Sequence, residues 1–456
     1  MHLPEVSRDS VPGLGHATTR LPHRILIIGG AYGGLMAALN LLSLAKGNAN
    51  RPSAYPLPDL QKKLSRRGVH ITVLDQRDGI FHSVGAPLAH VSEKASPVMW
   101  KPFKSFHELQ HLNLTFKQGS VTKIDCKSRT AWYTDIHGVV QTEPYHYLIQ
   151  ATGLKRNWPI VPRAQSCSDY NKDASTLINQ IKNARHKRVA VVGGGAVGIE
   201  FAGEIKHNHP ALHVTLIHSR AELLSAEPLP AEFKDRAKML LKELGVEVIT
   251  GNRATVEEQS EGHYLITLTN GTTITAGAVI NATAKHLPTT DCLPREAVDE
   301  EGFVKVTPTL TFPTSVPNST AHYAIGDVCA WSGIRRAGGA MVMGQLAATN
   351  LFASILTSED PDFAPEHAEL PEFPAVMGLA VGDQAIVYSA GTGVEYGKKT
   401  MEVMFGEDLG WNYCLKYMGL ADEEVKVEVL EEVQEKVEKI ELLEVRDENS
   451  RQAVAV

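Results

Sequence analysis

The chain has 456 residues, of which 43% are hydrophobic and 21% charged, with 37 glycines. That is length for about three domains with real cores, and the composition excludes disordered, collagen-like and disulfide-scaffold proteins. The net charge of −7 is concentrated: residues 421–448 hold 12 Asp/Glu against 4 Lys/Arg, which leaves the rest at +1, so neither part reads as a nucleic-acid binder.

No stretch approaches 18 uninterrupted apolar residues, so no transmembrane span is expected. Residues 1–24 lack the apolar core of a signal peptide, and His2 stands where N-myristoylation needs glycine. The expected address is cytoplasmic, at most peripheral to a membrane. The five cysteines are widely spaced, without a Cys-x-x-Cys, which indicates neither a zinc site nor a redox dithiol; no metal is expected.

Residues 1–23 read as a mobile arm. A buried strand at 24–28 runs into Gly29-Gly30-Ala31-Tyr32-Gly33-Gly34 and then an apolar helix. Strand, tight glycine turn and helix open a parallel α/β unit. Residues 46–67 read as a surface insertion, and the strand at 69–74 ends on Asp75. Short strand-like runs over 115–148 close on Ala151-Thr152-Gly153. A second copy of the opening pattern lies 164 residues after the first: a strand at 189–192, then Gly193-Gly194-Gly195-Ala196-Val197-Gly198 and a helix to about 207. A strand at 214–217, a helix at 231–244 and strand pairs through 280 come next. The last third carries Ala324-Ile325-Gly326-Asp327, a small-residue helix over about 338–351 and a Pro-rich linker at 358–374. A small α+β unit spans 375–420. The acidic tail, 421–456, has apolar residues at Leu430, Val433, Val437 and Ile440, the pattern of one amphipathic helix.

Glycine turns of this kind bind pyrophosphate. The first glycine permits the turn, the second lets backbone approach the phosphates, and the third allows close strand–helix packing; the helix N-terminus supplies free N–H groups and partial positive charge. Gly193, Gly195 and Gly198 satisfy the pattern fully. In the first turn Gly29 and Gly34 are in place, but Ala31 stands at the middle position. Two such turns imply two dinucleotides. Asp75 is the acid expected on a ribose hydroxyl, 41 residues beyond Gly34 because of the insertion. The equivalent place in the second unit holds His218, then Ser219 and Arg220. A hydroxyl and a guanidinium there favour a 2′-phosphate, hence NADPH over NADH, although Glu222 is close by.

With these motifs the sequence resembles the two-dinucleotide-binding flavoprotein superfamily that includes glutathione reductase. Ala151-Thr152-Gly153 looks like its domain-linking turn and Gly326-Asp327 like its late flavin-binding motif, with Asp327 on the ribityl chain. The resemblance implies an α/β fold with two Rossmann-like domains. An FAD-binding domain (24–160 and 285–357) is interrupted by an NAD(P)H-binding domain (161–284), and 375–420 is a small α+β C-terminal interface domain. Lacking the dithiol, residues 81–88 (Phe81-His-Ser-Val-Gly-Ala-Pro-Leu) and 214–220 look most like the apoptosis-inducing factor-like branch. Its type 2, ferroptosis suppressor relatives are the nearest in kind, with type II NADH dehydrogenases as neighbours. Departures are Ala31, the insertion, and Asn281-Ala-Thr-Ala where a glycine is usual. The implied cofactors are FAD with NADPH or NADH, and the implied reaction passes hydride to the flavin and electrons to a quinone-like or small aromatic acceptor. Glu200 matches the family's glutamate near the nicotinamide, with Lys94 or Lys101 as its lysine, and His82 either lines the acceptor side or, the reading its position favours, is a solvated or satisfied core histidine. Two other functions stay open: a tailoring oxidase of a specialised metabolite, and an NAD(P)H-sensing flavoprotein that acts through partner binding. A homodimer also stays open.

Overall fold

The computed structural model describes residues 21–283 and 287–421. Most of the arm, and the tail from residue 422 with its amphipathic pattern, lie outside the described residues. The first strand is His23–Ile28, and His23 is buried and bonded to Glu359 at 2.9 Å. The folded body therefore starts before residue 24.

Within His23–Ile28, residues 25–28 read as a continuous apolar run because they are covered on both faces, as parallel strands are. It lies inside a seven-stranded sheet whose order is His322–Ala324, Tyr147–Gln150, His23–Ile28, Val69–Asp75, Leu114–Asp125, Thr130–Asp135 and Val140–Pro144. The first five are parallel and the last two antiparallel. The insertion does not disturb the register: His23 still faces Val69 and Ile28 faces Leu74. Nor is the insertion merely superficial. Leu60 is fully buried, and Arg51 donates through Nη1 to Met418 O at 2.6 Å at the end of the helix Trp411–Met418.

The helix Tyr32–Ala45 packs along the 23-residue helix Ala337–Glu359. Contact is backbone-close, since a Cβ on Gly344 would lie 2.3 Å from Gly33 O. Asn40 Nδ2 ties the pair by donating to Gln345 O and Thr349 Oγ1. By length and composition Ala337–Glu359 could cross a membrane, but here most of it is buried inside the fold.

The second unit repeats the plan at smaller scale. Its sheet, all parallel, runs Glu247–Ile249, His213–Ile217, Arg188–Val192 and Ala278–Asn281, and an antiparallel sheet of three (Ala254–Ser260, His263–Leu268, Thr273–Ala276) stands beside it. The chain leaves and re-enters the first unit through one short ladder, Leu154–Lys155 against Leu287–Pro288. Around it, Thr152 Oγ1 donates to Thr289 O at 3.0 Å and Thr289 N–H to Gly153 O.

The C-terminal unit pairs Met377–Val381, Gln384–Ser389 and Gly393–Gly397 in an antiparallel sheet, followed by the helices Lys398–Met404 and Trp411–Met418. It does not build a core of its own. Leu379, Val381 and Ile386 join the apolar cluster of the second unit, while Trp411, Leu415 and Met418 join that of the first. The unit thus clamps the two.

Candidate functional site

The two glycine turns superimpose in their chemistry. Gly29 (φ +104°) and Gly193 (φ +119°) hold the left-handed conformation that L side chains rarely adopt. A Cβ on Gly34 or on Gly198 would fall 1.8 Å from the carbonyl oxygen of Gly29 or Gly193 respectively. Strand and helix meet there with no room for a methyl group. The middle position is different. Gly195, the residue before the helix Ala196–Asn208, has φ −80° and nothing within 4 Å of an added Cβ. Ala31 holds the same place before Tyr32–Ala45 with φ −96° and is exposed, so its methyl costs the fold nothing. Neither helix start is capped by a side chain, which leaves its N–H groups and dipole for an anion.

The strand after each turn supplies one acceptor to it. Gly30 N–H donates to Asp75 Oδ2 at 2.6 Å, and Arg77 N–H to Asp75 Oδ1 at 2.8 Å. Burial pushes the Asp75 carboxyl up, against the Arg77 charge and the backbone donors that hold it down. In the second unit Gly194 N–H donates to His218 Nδ1 at 3.1 Å. His218 thus takes the position of Asp75 without a negative charge. Burial first, then the Arg220 guanidinium, lowers its pKa, so the ring is neutral near pH 7, with Nε2 3.2 Å from Ser225 Oγ. Ser219 and Arg220 are exposed at the same strand end. Open middle positions, uncapped helix starts and one acceptor at the end of the following strand are features that fit a dinucleotide at each turn.

Beyond the linking turn, a shallow open cleft lies between Asp327, the start of Ala337–Glu359, Arg335, Trp331 and Phe373. Gly326 has φ +76° and its N–H points at Met343 Sδ, 3.3 Å away. Asp327 pairs with Arg156 at 3.2 Å, and Arg335 lies 4.2 Å from the Phe303 ring centroid.

Glu200 is buried on Ala196–Asn208, facing the C-terminal sheet. Burial pushes its carboxyl up to about 8, against an N–H bond from Ala380; the nearby Glu204 raises it further and Arg156 opposes. The cation acting on Glu200 is therefore Arg156, three residues past the linking turn, and Arg156 also bridges to Asp327. Lys101 sits elsewhere: on Trp100–Pro102 its ammonium lies 4.7 Å from the Phe106 ring centroid, and Lys94 is exposed. His82 does not line an acceptor surface. It is fully buried, its Nδ1 is 2.8 Å from Tyr32 Oη and its Nε2 is 2.9 Å from Leu409 O, and its ring lies 4.9 Å from Trp411. Burial takes its pKa down to about 4. With both nitrogens engaged it braces the C-terminal helix against the first glycine turn.

The sequence does not single out Arg156 or Glu204. Glu204 has a signal, as the second acid one turn beyond Glu200 in the apolar first part of the helix. Arg156 has no local signal. Among the described residues no three His, Cys, Asp or Glu side chains gather as a metal site.

The family model of pyridine nucleotide-disulphide oxidoreductases matches residues 23–344, and the chain belongs to that family. It is 41% identical over 419 residues to oxidoreductase OXR1 of Ajellomyces capsulatus, covering 90% of each chain. It is 31% identical over 242 residues to ferroptosis suppressor protein 1 of Mus musculus, covering 53% of this chain and 56% of that one. NDH2 from Plasmodium falciparum, solved in complex with NADH, aligns with a TM-score of 0.60 at 16% identity, over 84% of this chain and 93% of its own. The chain is accordingly an FAD-dependent NAD(P)H oxidoreductase with two Rossmann-like units.

Proposed function

We propose that the chain passes hydride from NADPH to FAD and electrons on to a quinone-like or small aromatic acceptor. One observation carries the choice of donor: the backbone N–H of Gly30 meets a carboxylate, whereas that of Gly194 meets the imidazole of His218. A carboxylate suits the free ribose hydroxyls of FAD or NADH and repels a 2′-phosphate. An imidazole does not repel it, and Arg220 adds a charge able to bond it.

In this reading Gly29, Gly30, Ala31, Gly33 and Gly34 would receive the FAD pyrophosphate and Asp75 its ribose. Ala151, Thr152, Gly153, Gly326 and Asp327 would hold the flavin end. Gly193, Gly195 and Gly198 would receive the NADPH pyrophosphate, with Ser219 and Arg220 on the 2′-phosphate. Bound FAD supplies the two-electron chemistry between nicotinamide and acceptor. The chain's part is to bind, orient and keep water out, and Arg156 joins Glu200 electrostatically to Asp327 at the cleft.

The acceptor reading rests on the thiols. Residues 81–90 contain no cysteine, and the five cysteines are all free. No dithiol stands ready to carry electrons outward, so the acceptor must itself approach the flavin. A planar conjugated small molecule can do that by stacking. The test is an anaerobic titration with NADPH and, separately, NADH, followed by a short-chain quinone. Bleaching of the flavin band by NADPH and its recovery on adding quinone are expected. Bleaching that quinone fails to reverse would refute the acceptor, and preferential bleaching by NADH would refute the donor.

A further inference from the structure

The helix Ala196–Asn208 carries a polar stripe along one face. Glu200, Glu204 and Asn208 stand at i, i+4 and i+8, hence on one face, and the stripe runs about 12 Å along the axis. It begins at the buried Glu200, whose neighbour Arg156 reaches Asp327 at the cleft, and ends at the half-buried Asn208. Glu204 is buried between them, and Asn208 Nδ2 donates to its Oε2 at 3.1 Å. Two carboxyl groups one turn apart inside an apolar contact are costly unless they are neutral or have a use.

We propose that Glu200 and Glu204 form a proton relay, with Glu204 the positioning and supply group that restores the proton Glu200 gives up toward the acceptor. The relay rests on the reading that the acceptor is quinone-like, for which the balance is NADPH + H⁺ + quinone → NADP⁺ + quinol. The hydride brings both electrons and one proton's worth of hydrogen. The second proton comes from solvent, by way of the Asn208 end, Glu204 and Glu200.

Burial pushes both carboxyls up to about 8, so each keeps its proton near neutral pH, as a supply group must. The charged or titratable groups facing the stripe from packed elements are few. Arg156 comes from the linking segment. His90, at the end of the short helix Ala86–Ala89, has its ring 6.4 Å from Phe201 and is itself held neutral by burial. Past the strand Met377–Val381 lies the ion pair of Asp383 with Lys398 at 2.7 Å, with His207 beside it. The helix Ala231–Leu244 faces the stripe's helix with buried residues such as Phe233, Leu240 and Leu241.

Two measurements on Glu204→Gln, which keeps an acceptor oxygen for Asn208, test the relay. Infrared titration of the purified holoenzyme needs no acceptor. The wild type should show buried carboxylic-acid C=O absorption at pH 7 that disappears near pH 8, and Glu204→Gln should lose about half of it. In stopped flow, the protein reduced beforehand with NADPH is mixed with a short-chain quinone in weak buffer containing a pH indicator. Glu204→Gln should slow proton uptake at least tenfold, with flavin content retained, and Glu204→Asp should recover part of the rate. Glu204→Gln with wild-type proton uptake and an unchanged pH profile overturns the relay, as does infrared absorption at pH 7 unaltered by the substitution. A wild type that ignores quinone while the infrared result holds overturns the acceptor reading instead.

Discussion

Gly195→Ala separates binding from folding in the second unit. At φ −80° alanine is unstrained, and its methyl meets nothing within 4 Å. The loss of fold stability should be under about 1 kcal/mol, the ordinary difference between glycine and alanine before a helix. The methyl projects over the uncapped helix start, where a pyrophosphate seated against glycine would have to shift outward. Ala31 carries such a methyl in the first unit, so the cost is that of the shift and not the loss of the site: on the order of 1–2 kcal/mol, roughly a 5- to 30-fold weaker Kd for NADPH. Gly198→Ala is the contrast. Its Cβ would lie 1.8 Å from Gly193 O, a backbone atom that cannot swing aside, so strand and helix must separate at a cost of about 3 kcal/mol or more. Thermal melting without NADPH and anaerobic NADPH titration of each variant read the two effects. Gly195→Ala should melt like the wild type and bind weakly, whereas Gly198→Ala should melt early. Undiminished NADPH affinity in Gly195→Ala would refute close seating of the pyrophosphate against this glycine, and equal melting losses in both variants would refute the steric argument.

Arg220→Ala should lower kcat/KM for NADPH by roughly 10- to 100-fold, the worth of a charge-assisted bond of about 1.5–3 kcal/mol, and leave NADH within twofold; a parallel fall for both donors would show that Arg220 does not read the phosphate. Stability should also fall with rising pH through the two buried glutamates. Each has an ordinary value of 4.5 and a folded value of about 8, so the folded state binds more protons between those limits. Their contribution is complete below about pH 4.5 and is lost progressively up to about pH 8. Thermal melting of holoenzyme at pH 5.5, 7 and 8.5 should show this fall and a shallower one in Glu204→Gln; parallel slopes would remove the buried-acid explanation.

What could be read in the sequence was whatever depends on steric demands at set offsets. Gly29, Gly34, Gly193 and Gly198 are positions where a side chain would strike backbone, so their spacing carries the turn. Asp75 was legible despite its distance from Gly34, because residues 46–67 loop out and return in register, with His23 opposite Val69. The residues around the reactive end were harder, because their partners come from remote segments. Arg156 meets Asp327 across 171 positions and His82 meets Leu409 across 327. Nothing periodic near residue 82 says that a C-terminal helix will cover it. The same holds for Arg51, which sits in a stretch that reads as surface and yet holds the end of Trp411–Met418.

In the proposed reading, a duplicated frame holds two different nucleotides. Gly30 and Gly194 present the same backbone N–H at the same point of the same turn, and each is met by the residue at the end of the neighbouring strand. Everything that turns these sites toward a bound anion is backbone and common to both. The difference lies in one side chain, a carboxylate in the first unit and an imidazole in the second, together with the Ser219 and Arg220 that come after that imidazole. Exchanging that side chain alters the charge next to the ribose without touching the turn, so selectivity for the phosphorylated donor can be set independently of the affinity that the glycine turn provides. Glu200 belongs to the same logic. It lies two residues past Gly198, so in this reading the helix proposed to meet the donor at its start carries the buried acids Glu200 and Glu204 along its length, and it ends at the half-buried Asn208.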